Sequence, residues 1–111
     1  MRFMFLMYGD ERAEAALSAD ERKAIVGGHV ALGQQLRESG ALVLAEALAG
    51  SDTATVVRPA DGLVTDGPFS EGREQIGSAY VLECADLDEA LSYAKQVPVS
   101  PGLAVEIRPC V

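Results

Sequence analysis

Only two stretches of this chain announce a helix, and that limits what the rest can pack against. Ser18-Ala19-Asp20-Glu21 has the form of a capping box, in which Ser18 accepts from the Glu21 amide and Glu21 reaches back to the Ser18 amide. The helix it opens should run to about Ser39, with Gly40 as a left-handed C-terminal cap. Asp86-Leu87-Asp88-Glu89 is the second signal, and Pro98 stops the helix that follows, with Ala90, Leu91, Ala94 and Val97 on its inner side. The remaining ordered segments read as strands. Residues 2–8 are apolar on both faces, as in a central strand covered on both sides. Residues 10–17 form an acidic, Ala-rich connection with room for a helical turn. Residues 41–48, 53–58, 63–65 and 76–84 read as strands, with turns at Gly50-Ser51-Asp52 and Asp61-Gly62 and a loop over 66–72. After a turn at Pro101-Gly102, residues 104–108 alternate apolar and charged side chains, the pattern of an edge or one-sided strand.

The order β-α-β-β-(β)-β-α-β is that of an α+β protein, a ferredoxin-like split βαβ plait carrying an extra hairpin arm. At 111 residues it should form one domain, residues 1–111. Two helices cover one face of a four-stranded sheet, so the other face must meet something else. Leu42, Leu44, Val56, Tyr80, Leu82, Val105 and Ile107 are the apolar strand residues available for it. A homodimer packed sheet to sheet is the expected solution, a dimeric α/β barrel.

Composition narrows the partners. Seventeen acidic against nine basic residues give a net charge of -8, and the bases are scattered among acids. Nucleic acid and anionic membrane surfaces both need clustered Lys and Arg, so neither is expected. No apolar run approaches the ~18–20 residues that span a bilayer. The apolar start ends at Tyr8 and meets Gly9-Asp10-Glu11-Arg12 at once, which fits a strand better than a secretory signal. One histidine, His29, and two distant cysteines, Cys84 and Cys110, make a Cys/His zinc site impossible without borrowed carboxylates or a second chain, and no cofactor is expected. Both cysteines are expected to be reduced and the protein cytoplasmic.

The chemistry-bearing residues are few. His29 is the only side chain whose ordinary pKa lies near neutrality, and it sits on the apolar stripe Ile25, His29, Leu32, Leu36. It reads equally as a core histidine bonded to a carbonyl or carboxylate, or as a general base whose tautomer a neighbouring acid fixes. Gly27, Gly28 and Gly33 flank it, each costing about 1 kcal/mol against Ala within a helix. Such a cost points to close backbone packing or to room for a ligand. Glu46 falls in an otherwise apolar strand, where it faces either water or a cavity. Tyr8, ending the first strand, is placed to aim a hydroxyl into the same cleft. Nothing beside Cys84 or Cys110 marks an activated thiolate. No phosphate-loop, dinucleotide, EF-hand or Ser-His-Asp spacing is present.

At Thr65-Asp66-Gly67-Pro68-Phe69-Ser70-Glu71 the chain resembles the DGPF subgroup of the YCII-related proteins. The likeness runs nearly end to end, from Met4 to Asp10 through Ser18-Ala19-Asp20-Glu21-Arg22, His29, Gly40-Ala41-Leu42, Glu46-Ala47-Leu48 and Ala54 to Arg58. It continues at Tyr80 to Glu83 and Asp86 to Ala90, and closes at Val105-Glu106-Ile107-Arg108-Pro109. The resemblance implies ferredoxin-like protomers joined as a dimeric α+β barrel. It implies a His and an Asp facing each other in a cleft, with His29 at the His position. The wider family's Asp precedes the last strand, where this chain has Gln96-Val97-Pro98-Val99-Ser100, so Asp66 is the substitute. Asp66-Gly67-Pro68-Phe69 also reads as a plain turn, with Asp66 accepting local amides and Gly67 taking an unusual φ. Its functional reading makes Asp66 an acid and Phe69 an aromatic wall. Arg73, a surface cation beside Glu74, stands where the family more often has Lys.

Three functions follow. One is an enzyme with His29 and Asp66 or Glu46 as its acid-base pair, and Tyr8, Gly67, Phe69 and Arg73 against a small organic ligand. A second is a non-catalytic binding or regulatory module, linked through the resemblance to a sigma factor of the extracytoplasmic-function class. The third is a purely structural dimer.

Overall fold

A computed structural model describes residues 1–111. Its strands are β1 (Arg2–Asp10), β2 (Leu42–Ala47), β3 (Thr55–Arg58), β4 (Leu63–Asp66), β5 (Glu74–Glu83) and β6 (Ala104–Pro109). Its helices are α1 (Glu11–Ala15), α2 (Ala19–Glu38) and α3 (Leu87–Ala94). Four strands form one antiparallel sheet in the order β2-β5-β1-β6, and β3-β4 stand apart as a hairpin. Leaving out the hairpin, this is the strand order of the ferredoxin-like α+β fold. No helix is long and apolar enough to cross a membrane.

Local chemistry sets the helix ends. In α2 the Glu21 amide donates to Ser18 Oγ and the Ser18 amide to Glu21 Oε1, both at 3.1 Å. At the other end Gly40 has φ +77°, and the Ala41 and Gly40 amides return to Leu36 and Arg37 carbonyls at 3.0 and 3.1 Å. That pair of bonds is a Schellman cap, which fixes where the chain turns into β2. Asp10 caps α1 and Asp86 caps α3. In the arm, the Gly62 amide donates to the Arg58 carbonyl at 2.9 Å and Gly62 adopts φ +72°, closing a four-residue loop.

The core lies on one face. Register sets Phe3 opposite Leu82 and Phe5 opposite Tyr80, and these side chains with Met7 are buried beneath Leu32 and Leu36 of α2 and Ala90 of α3. Three expectations change here. β1 is central, between β5 and β6, but only its odd-numbered face is covered within the chain; Met4 on the other face is exposed and Leu6 and Tyr8 are half-buried. The apolar residues assigned to the open face mostly belong to the covered one. Ile107 and Val105 stand opposite Phe5 and Met7, and Leu42 opposite Leu82, while Val56 lies in the arm. Only Leu44 stays on the open face, because a register shift between Leu42 and Leu44 turns β2 over at that point. The large apolar side chains of the open face are therefore Met4, Leu6, Tyr8, Leu44, Ile76 and Val81. Finally, Leu91 is 40% exposed while Ala90 and Val97 are buried, since Leu91 shares the outward row of α3 with Leu87.

Candidate active site

α2 packs tightly on the sheet only through its C-terminal half. There Leu32 and Leu36 are buried, whereas Ile25 and His29, a turn or two earlier on the same face, are half-buried. Between α2 and the ends of β1, β2 and β5 lies a cavity of about 600 Å³. Its apolar wall includes Met7, Leu17, Ile25, Val26, Leu42 and Ala45. A concave, mostly apolar space with a few convergent polar groups is the usual form of a small-molecule site.

His29 projects into this space from the middle of α2, and Tyr80 rises to meet it from β5. Their polar atoms, His29 Nδ1 and Tyr80 Oη, are 2.6 Å apart, and the rings stand edge to face, with centroids 6.2 Å apart and planes at 85°. Tyr80 has no other hydrogen-bond partner than His29. Burial pushes the His29 pKa below its ordinary value and the Tyr80 pKa above its own. At neutral pH both groups are therefore uncharged. Two proton arrangements satisfy the contact. In one, the Tyr80 hydroxyl donates to Nδ1 and leaves an N–H donor at Nε2. In the other, Nδ1–H donates to the Tyr80 oxygen and leaves a basic lone pair at Nε2. In either, Tyr80 engages Nδ1, and Nε2 is the ring nitrogen without a protein partner.

Two carboxylates border the cavity. Glu46, one of the sequence candidates, is exposed and pairs in register with Ala79, on the sheet face away from Tyr80. The other is Glu14 of α1, which the sequence reading treated only as part of an acidic connection. Its side chain is half-buried over Gly9, where a Cβ would collide with Glu14 Oε1. Burial raises its pKa first, and the charges of Glu11 and Asp10 add to the rise while Arg22 opposes it. Arg22 also donates from Nη2 to the Glu14 carbonyl at 3.3 Å.

The other candidates are dispersed. Tyr8 borders the cavity at the end of β1, from a ladder position on the open face; Asp66, Gly67, Phe69 and Arg73 do not border it. Asp66 ends β4 opposite Thr55, and Gly67, at φ +97°, donates its amide to the Ala54 carbonyl at 2.8 Å. Phe69 is 76% exposed, with the Arg58 guanidinium 5.5 Å from its ring centre. Arg73 Nη2 reaches Asp10 Oδ2 at 3.4 Å. Within one chain, then, His29 is partnered by a phenol and by neither sequence-selected carboxylate.

The profile of the YCII-related domain matches residues 1–110. The chain belongs to the YCII-related family. An uncharacterized protein of Rhizobium meliloti (strain 1021) is 33% identical over 113 residues, covering 98% of this chain and 91% of the relative. Within this YCII-related protein the three α2 glycines now separate. Gly28 packs on Pro98, whose Cγ would lie 2.7 Å from an added Cβ, whereas Gly27 and Gly33 face open space. Of those two, only Gly33 lines the cavity. Tyr80 was legible in the sequence as an apolar strand residue. A buried tyrosine needs a hydroxyl partner, and that need was the available signal for His29.

Proposed function

We propose that this YCII-related protein is a small-molecule enzyme in which His29 Nε2 moves a proton on an organic substrate held in the α2 cavity. The observation that carries this reading is the His29–Tyr80 contact. It orients a neutral imidazole toward a concave, mostly apolar cleft and leaves one ring nitrogen free. Glu14 is the acid nearest in kind to the expected His-carboxylate pair, as a half-buried carboxyl bordering the same cavity. Lyase and isomerase chemistry suits a single proton-transfer group with an apolar surround. The Asp66-Gly67-Pro68-Phe69 motif supports placing the chain in the DGPF subgroup.

The test is deuterium incorporation. A panel of straight-chain oxo acids, with the carbonyl placed from position 2 to near the far end of the chain, is incubated in D2O with the protein, and exchange of the hydrogens next to the carbonyl is followed by NMR. Wild type should accelerate exchange for at least one member, and His29→Asn should lose about 10²-fold or more of that rate. Equal rates for His29→Asn and wild type, or no acceleration across the panel, would reject the reading.

A further inference from the structure

The geometry points to an anion-binding end of the cavity at Arg37, reached over a notch at Gly33, so that the ligand is an elongated carboxylic acid. This inference rests on the cavity being a ligand site and adds what kind of ligand it takes. Ile25, His29, Gly33 and Arg37 are spaced four residues apart on α2, forming one ridge, and all four line the cavity. Gly33 is the gap in that ridge. A Cβ built there meets nothing within 4 Å, so packing does not require glycine, and a helix interior disfavours it. What the missing side chain provides is free volume between the His29 ring and the Arg37 end.

Arg37 forms no ion pair, although it sits in a chain of net charge -8. The cavity's other cation is Arg22, whose guanidinium is engaged at α1 beside the Glu14 carboxylate. An anion near Arg22 would meet Glu14; one near Arg37 would not meet that charge. His29 and Arg37 are eight residues apart, about 12 Å along the axis, and helical side chains lean toward the N-terminus, which shortens the span. An acid lying along the ridge therefore places its carboxylate at Arg37, its chain over Gly33 against Leu42 and Ala45, and its far end beneath His29.

The probes are straight-chain monocarboxylates from acetate to octanoate, with binding followed through the NMR resonances of the single histidine and of the α2 amides. Wild type should bind more tightly as the chain lengthens. Gly33→Ala should raise the melting temperature by a few degrees, since alanine favours the helix. The same substitution should weaken the longer acids about tenfold while sparing acetate. Arg37→Gln should weaken every acid about tenfold, and Arg22→Gln should not. Equal octanoate affinity in Gly33→Ala and wild type overturns the inference, as does loss in Arg22→Gln in place of Arg37→Gln. The outcomes separate from those of the catalytic reading. Straight-chain acids that bind as described, with no deuterium exchange across the oxo-acid panel, sustain this assignment and reject catalysis. Exchange that depends on His29 but ignores Gly33 and Arg37 does the reverse.

Discussion

Tyr80→Phe isolates the contact on which the site depends. Phenylalanine fills the same volume, so the substitution removes one hydroxyl and opens no cavity. The lost bond is short, at 2.6 Å, and leaves a half-buried Nδ1 without its partner. A neutral hydrogen bond contributes about 1 kcal/mol net, and an unsatisfied buried acceptor costs about 1–3 kcal/mol. His29 opens onto a cavity that admits water, so the lower end applies: about 1 kcal/mol, or a melting shift of about 5 °C for a chain this size. Circular dichroism melts read that shift directly. The same variant can be followed by titration, because one histidine gives one assignable ring resonance. Burial holds the folded pKa of His29 below its ordinary value of 6.5. As pH falls through that ordinary value the unfolded chain takes up a proton that the folded chain refuses. Stability therefore declines from about pH 6.5 down to the folded pKa and levels off below it. His29→Asn should remove this stretch of pH dependence. A His29 midpoint at or above 6.5, or a Tyr80→Phe protein that melts with wild type, would refute the reasoning.

Other outcomes follow from the same structure. Glu14 titrates with the opposite sign: its folded pKa is raised, so stability should increase as pH falls through that value and flatten below the ordinary 4.5. Urea denaturation of Glu14→Gln should lack that rise and gain about 0.5 kcal/mol at neutral pH, from relief of the cost of burying its charge and, second, of repulsion by Glu11 and Asp10. Gly27→Ala should stabilise by up to about 1 kcal/mol, whereas Gly28→Ala should destabilise by about 1–3 kcal/mol because Pro98 occupies its space. Leu36→Ala, at a side chain with 0% exposure, should cost about 3 kcal/mol by the same denaturation. Sedimentation should find a species of twice the chain mass, joined through Met4, Leu6, Leu44 and Val81. Leu44→Glu should return it to the monomer, and a wild-type monomer at micromolar concentration would refute the sheet-to-sheet pairing.

The parts of this molecule that sequence made legible are those fixed by local chemistry. The capping box at Ser18, the Schellman glycine at Gly40 and the Asp86 cap each satisfy backbone groups within a few residues, so α2 and α3 fall where the pattern places them. Strand order follows because two helices and the connection lengths admit few other plaits. Facing was harder. Residues 42–44 carry Leu, Val and Leu in succession, and a single register shift decides which of them look toward α2, a decision made by pairing with β5. No pattern inside β2 records it. The site divides in the same way. His29 stood out by its chemistry alone, but its partner Tyr80 lies 51 residues away on a strand whose alternation is set by Phe5 across the ladder.

Gly33 shows why the cavity itself escaped. A helical glycine raises one question, whether something approaches the backbone or something is left out, and residue type cannot separate the two. Gly28 and Gly33, five positions apart on one helix, give opposite answers: Pro98 fills the first and nothing fills the second. The difference is one of helix face: five positions are about 140° round the axis, so Gly28 turns to Pro98 while Gly33 turns to the cavity, whose opening depends on where α2 leaves the sheet. That departure follows from the buried pair Leu32 and Leu36, which holds only the C-terminal half down, while half-buried Ile25 and His29 continue the stripe without reaching the core. If those anchors set the opening, Leu32→Met should alter His29 chemical shifts and carboxylate affinity despite its distance from Nε2, whereas a change of equal size at Leu87 should alter neither.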